Sequence, residues 1–167
     1  MSLLPQRRHI LLYSEGDAGF VQALKSQLEA QIFSVHCCRS LDEASIWSTR
    51  HQSLAPDAIV IDIPGERSSQ SMNAFKFYDF VRRGGWIAAL QQRFAGWGEN
   101  APVLMLIDAQ KRLEMEERMF ALGVQPDRID YKPYHINILT NKLNSLFPPV
   151  AQGRPHRPPP FCTSAAW

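Results

Sequence analysis

The sequence predicts an α/β fold, a parallel β-sheet covered by helices on both faces. Three observations carry this. Between Arg8 and Phe147, short runs of β-branched and apolar residues alternate with amphipathic segments of helical period. Two of those runs, Ala58 to Ile61 and Val103 to Ile107, are apolar without interruption, as expected of strands buried on both faces. Both run into an acid, Asp62 and Asp108, where such a strand would open into a crevice.

Taken in order, His9 to Tyr13 is the first strand, and Ser14-Glu15-Gly16-Asp17 suits the loop that leads into a helix. Phe20, Val21, Leu24 and Leu28 recur at three- and four-residue spacing and form that helix's apolar stripe, with Gln22, Lys25 and Glu29 off it. Phe33 to Cys38 is the second strand. Ser40-Leu41-Asp42-Glu43 reads as a capping box, the Ser hydroxyl accepting from an early amide and Glu43 reaching back, ahead of a helix with Ala44 and Trp47 inward. Asp57 to Asp62 is the third strand and Val103 to Asp108 the fourth. A helix carrying Leu113, Met119 and Ala121 then runs to Gly123, a natural C-terminal cap. The last strand lies around Arg128 to Tyr131. A final amphipathic helix with Ile138, Leu139, Leu143, Leu146 and Phe147 stops at Pro148-Pro149.

Two segments break this rhythm. The enlarged stretch between the third and fourth strands concentrates the aromatic residues: Phe75, Phe77, Tyr78, Phe80, Trp86, Phe94 and Trp97. These rings either complete the core beneath an enlarged helix or form a partner-binding face, with Phe75, Tyr78, Trp86 and Trp97 as its anchors. The proline-rich stretch 149–167 lacks an apolar period and reads as an extended or disordered tail or linker after a single domain at 1–148.

Composition narrows the function classes. The chain's 167 residues, with 45% apolar and 20% charged, suffice for one core, and a net charge of +2 is too small to attract nucleic acid or a membrane by whole-molecule electrostatics. No apolar run exceeds Val103 to Ile107, far below the roughly 20 residues that span a bilayer. Arg7-Arg8 follow the first leucines in the wrong order for a secretory signal, so the expected compartment is cytoplasmic. Cys37, Cys38 and Cys162 make neither a disulfide framework nor a metal set. The histidines, His9, His36, His51, His135 and His156, are dispersed and read as no ligand set. Arg82-Arg83 and Arg154/Arg157 read as solvated surface, leaving nucleic acid to an output domain absent here.

In an open parallel sheet, ligands bind beyond the carboxyl ends of the strands. There the sequence places Ser14, Glu15, Asp17, Asp62, Asp108 and Lys132. Acids converging from separate strands repel one another, so such a cluster favours a hard divalent cation with oxygen ligands, Mg²⁺ by preference. Lys132, followed by Pro133, would stand opposite them and neutralise a bound anion. The plainer alternative makes Asp62 a cap for loop amides and Lys132 a solvated cation.

The ordered set Ile-Leu-Leu-Tyr13, Pro-Asp-Ala-Ile-Val-Ile-Asp62, Ala-Pro-Val-Leu-Met-Leu106, Ala121-Leu-Gly123 and Asp-Tyr-Lys-Pro-Tyr134 resembles the receiver domains of bacterial two-component response regulators, over about Arg8 to Phe147. The resemblance implies a five-stranded flavodoxin-like sheet and transfer of a phosphoryl group from a histidine kinase to an aspartate. By position, Asp62 would be the phosphoacceptor, Lys132 the partner of the phosphoryl oxygen, Glu15 one member of the metal-binding acidic pair, and Pro64 the residue whose backbone carbonyl meets Mg²⁺. The chain departs from the pattern as well. Ser14 stands where the first acid of the pair belongs, unless Asp17 folds back to replace it. The switch hydroxyl at the end of the fourth strand falls on Ile107 or Asp108, depending on the direction of counting, and the aromatic switch on Ile129.

Three functions follow as expectations. The first is an atypical receiver-like signalling domain that works by binding a protein partner, with phosphorylation at Asp62 by a histidine kinase where it is retained, and with a homodimer through the aromatic segment. The second is the regulatory half of a transcription regulator, with the linker starting at Pro148. The third is a flavodoxin-like nucleotide- or flavin-binding protein, which the acids in Glu15-Gly16-Asp17-Ala18-Gly19 disfavour because a phosphate loop offers bare amides. Of these, only the last would make an enzyme or cofactor protein of the chain.

Overall fold

A computed structural model of the chain describes residues 7–50, 56–64, 69–83 and 101–147. Five strands, β1 (Arg8–Tyr13), β2 (Phe33–Cys38), β3 (Ala58–Asp62), β4 (Val103–Asp108) and β5 (Ile129–Lys132), form one parallel sheet in the order β2-β1-β3-β4-β5. Five helices accompany them: α1 (Ala18–Ala30), α2 (Leu41–Arg50), α3 (Ser69–Arg83), α4 (Arg112–Ala121) and α5 (Ile136–Leu146). This is the flavodoxin-like order. After β1 the chain steps one way to β2 and then crosses to β3 on the other side, so the crevice at the sheet's carboxyl edge opens between β1 and β3.

The two-residue period of the strands divides the core into two layers. Leu11, Tyr13, Ile59, Ile61, Met105, Ile107 and Ile129 face α2, α3 and α4, and pack with Ala44, Phe77, Val81, Met115 and Met119. Ile10, Leu12, Val60, Leu104 and Leu106 face α1 and α5, and pack with Val21, Leu24, Leu28, Leu139 and Leu143. All five residues of β3 are buried, as its central position requires.

Several sequence expectations need correction. Met119 is buried as expected, but Leu113 is 83% exposed and Ala121 is also exposed; Met115, one turn before Met119, faces inward with it, so the stripe of α4 is offset from the one expected. In α5, Ile138 points outward and Thr140 lies with Leu139 and Leu143 on the buried side. In α3, Tyr78 and Phe77 are buried and Phe75 is packed against the same cluster, with the Arg118 guanidinium 4.6 Å above its ring. These rings therefore complete the core, and Phe75 and Tyr78 are not anchors of a free partner face. Trp86, Phe94 and Trp97 lie outside the described residues, as does the proline-rich stretch.

Local signals explain the helix ends. Asp17 caps α1, its carboxylate accepting the Phe20 amide at 3.0 Å. Ser40 caps α2 by accepting the Glu43 amide at 3.1 Å, while the Glu43 carboxylate takes the Arg39 amide, one residue further back than a capping box requires. Beyond α4, Gly123 adopts φ +81°, a left-handed conformation that suits glycine, and the Val124 amide returns to the Met119 carbonyl.

Candidate functional site

Three polar residues continue the α1/α5 side of the sheet past its last apolar rung, Ser14 after Leu12, Asp62 after Val60 and Asp108 after Leu106, and on β5 Lys132 follows the buried Asp130 on the same side. The first two sit at the crevice between β1 and β3. Asp62 is 2% exposed, and both of its oxygens are engaged. Oδ1 pairs with Lys132 Nζ at 2.5 Å, and Oδ2 accepts the Ser14 hydroxyl at 2.7 Å. Lys132 also donates to the Ile63 carbonyl at 2.9 Å, and its ammonium lies 5.6 Å from the centre of the Phe20 ring. The carboxylate is thus desolvated but compensated, one charge by one charge and one lone pair by one hydroxyl.

The β1–α1 loop roofs this carboxylate closely. A Cβ on Gly16 would stand 3.1 Å from Asp62 Oδ2 and 3.3 Å from Ser14 Oγ, so a side chain there would displace the roof. The Gly16 amide donates to Ser14 Oγ at 3.2 Å, and its carbonyl accepts Arg39 Nη2 at 2.6 Å. Beside the site, Phe20, Gln27, Asp108, Gln110, Lys132 and Tyr134 contribute to the lining of an open cleft of about 740 Å³.

Other predicted residues are drawn elsewhere. Glu15 follows Tyr13 to the opposite side of the sheet edge, where it accepts the Tyr13 hydroxyl at 3.1 Å and the Asn73 amide at 3.4 Å. Burial, with Glu15 beside it, raises the Tyr13 pKa well above that of a free phenol. Asp17 is committed to its cap. Asp108 accepts the Gln110 amide at 2.9 Å and caps the short turn after β4, whereas Ile107 and Ile129 are buried in the α3/α4 layer. Pro64 follows on the loop beyond β3.

Solved structures with the same architecture identify it. A chemotaxis protein of Vibrio cholerae superposes with a TM-score of 0.60 at 19% identity, covering 85% of this chain and 100% of that one. A response regulator receiver protein from Burkholderia phymatum gives 0.60 at 16% identity over 84% and 94% of the two chains. The chain has the fold of response-regulator receiver domains. A chain from Rhodopirellula baltica described as an adenylate cyclase shares it too, with a TM-score of 0.57 at 19% identity over 84% and 87%. No protein-family model matches the sequence, and no curated protein does either.

Within this receiver fold the Mg²⁺ implied by the resemblance can be tested against the donors present. Asp62 already satisfies both oxygens within the protein, Ser14 brings a neutral hydroxyl, and Glu15 and Asp17 are turned to other partners. Among the described residues, no three His, Cys, Asp or Glu side chains come together to hold a metal ion. This arrangement does not fit a Mg²⁺ cage. Sequence reasoning brought Asp62 and Lys132 to one point but treated Ser14 only as a weakened ligand and overlooked Arg39. The available signal for Arg39 was a lone basic residue between the second strand and the capping box.

Proposed function

We propose that the chain is an atypical receiver-like module of two-component signalling that acts by binding a protein partner, with Asp62 as its phosphoacceptor. The observation that supports this reading is the buried Asp62–Lys132 pair, at 2.5 Å, at the switch point of a receiver fold. In the transfer, an Asp62 oxygen bonds to phosphorus as the P–N bond of a kinase phosphohistidine breaks, and the imidazole leaves with the electron pair and gains a proton from solvent. Lys132 supplies positive charge where the phosphoryl oxygens gather, so a carboxylate can approach a second anion. The hydroxyl and aromatic positions that would read out the phosphoryl group on β4 and β5 are apolar or committed to capping, which supports a readout that differs from the family's usual one.

Among the described residues no helix is long and apolar enough to cross a membrane, in keeping with a cytoplasmic partner. The reading is tested by intact mass after incubation with a small acyl phosphate, with and without Mg²⁺, and with Asp62→Asn in parallel. A phosphoryl adduct on the wild type, absent from Asp62→Asn, is the expected result. No adduct under either condition, or an adduct that persists in the variant, overturns the assignment of Asp62 as acceptor.

A further inference from the structure

The polar contacts of Asp62 lead in two directions. Lys132 is tied to the Ile63 carbonyl as well as to Asp62, so it has a second anchor next to the acid in the chain. On the β4 side, Ile107 has no polar atom to offer and Asp108 is engaged by the Gln110 amide. Ser14 is the remaining polar contact among the described residues, and its hydroxyl does more than donate. The same oxygen receives the Gly16 amide, and the loop at Gly16 is a near neighbour of the carboxylate, since a Cβ there would stand 3.1 Å from Asp62 Oδ2.

From Gly16 the contacts continue outward. Its carbonyl holds Arg39 Nη2 at 2.6 Å, while Arg39 Nη1 is buried with no hydrogen-bond partner. The carbonyl is thus the hydrogen-bond partner of a part-buried guanidinium whose Nη1 already lacks one, and a shift of Gly16 weakens that hold. The Arg39 amide in turn donates to Glu43 in the first turn of α2, and Asp17, next after Gly16, caps α1.

We infer that Ser14 is the readout residue of Asp62: its hydroxyl follows the state of the carboxylate and passes it through Gly16 to Arg39, and so to the starts of α1 and α2. The inference rests on the reading of Asp62 as the residue that signalling addresses, and it names the direction in which the signal leaves. A partner that responds to Asp62 accordingly contacts the β1–α1 and β2–α2 loops rather than the β4–α4 side.

The test is amide hydrogen exchange on the full chain for wild type, Asp62→Ala, Ser14→Ala and the double variant. The expected result is that Asp62→Ala speeds exchange about tenfold in peptides covering 14–20 and 39–44, with little change over 103–112. In the Ser14→Ala background the same change at Asp62 adds less than about twofold, because the connection is already cut. An equal increment with and without Ser14, an effect confined to 103–112, or no effect anywhere overturns the inference. Ser14→Thr, which keeps a hydroxyl, restores the coupling; a merely structural role for Ser14 would not depend on the hydroxyl in this way. Asp62→Asn and Ser14→Cys replace any alanine variant whose near-ultraviolet circular dichroism shows it unfolded. The outcome is independent of the phosphodonor experiment: an adduct without coupling removes Ser14 as readout and keeps Asp62 as acceptor, while coupling without an adduct does the reverse.

Discussion

Lys132 is the residue on which Asp62 depends most. A carboxylate that is 2% exposed is stable as an anion only with a partner at contact distance, and the ammonium at 2.5 Å supplies one. Replacing Lys132 by Met leaves that charge buried and unpaired, and we expect a loss of about 3 kcal/mol in urea-induced unfolding. Adding Asp62→Asn to the same chain removes the orphaned charge and recovers most of the loss. If both variants are equally destabilised, lost packing rather than the ion pair is responsible. Buried protons give a second prediction. Burial pushes the Cys38 thiol from 9.0 up to about 12, and the Tyr13 phenol is raised as well. An acid whose folded pKa lies above its unfolded value keeps its proton longer in the native state, so the native state binds more protons and stability falls as pH rises. Nothing is lost below about pH 9. From there toward pH 12, the slope approaches about 1.4 kcal/mol per pH unit for each such group, and a denaturation series across that window would reveal it. Asp62 and Lys132 were legible from their places at strand ends. The role of Ser14 was not, because a serine in a loop has no signature until the register of β1 against β3 brings it to the carboxylate.

Helices and turns show where sequence pattern suffices and where packing decides. The start of α2 was readable because Ser40 satisfies an amide within its own first turn, a purely local effect; Asp17 does the same for α1 but was read as a loop residue and a candidate metal ligand. Ser40→Ala is expected to cost about 1 kcal/mol by urea denaturation, with the loss confined to α2 in hydrogen exchange. Which apolar residues of α4 and α5 face inward was less readable. Leu113 and Ile138 fit an apolar period as well as Met115 and Leu143 do, and only the position of the sheet selects between them. The turn between α1 and β2 hides a different feature. Ile32 has φ +69° and is 60% exposed, so a β-branched residue holds a left-handed conformation with little burial to offset it. Ile32→Gly relieves that steric cost and gives back part of it through the greater freedom of glycine when unfolded, for a net gain of about 0.5–1 kcal/mol. A higher urea midpoint with an unchanged slope would establish it, whereas a lower midpoint would mean that Ile32 contributes packing its exposure does not reveal.

For the molecule as a whole, the alternation of strands and helices made a parallel sheet legible and right-handed crossovers limit how it can be wound, but the five-stranded flavodoxin-like order was implied by the resemblance to receiver domains. The last contact that closes it is less evident from sequence. Phe147 lies one residue beyond α5, yet it belongs to the α1/α5 layer: its ring centre is 6.2 Å from that of Phe33, and the Arg8 guanidinium lies 4.3 Å above its face. It thereby ties the end of the domain to the beginnings of β1 and β2. If 1–148 is the folding unit, a chain stopped after Pro148 should unfold at the same urea concentration as the full chain. A chain stopped after Leu146 loses a ring that is only 9% exposed, and by the usual cost of deleting a buried phenylalanine it should be less stable by about 3 kcal/mol. Phe147→Ala in the full chain separates the ring from the chain end, since it removes the contact and leaves everything after it in place. Equal losses in Phe147→Ala and in the chain cut after Leu146 assign the closure to that side chain. A further loss on cutting would mean that residues beyond 147 contribute to the fold, and the boundary at 148 would have to move.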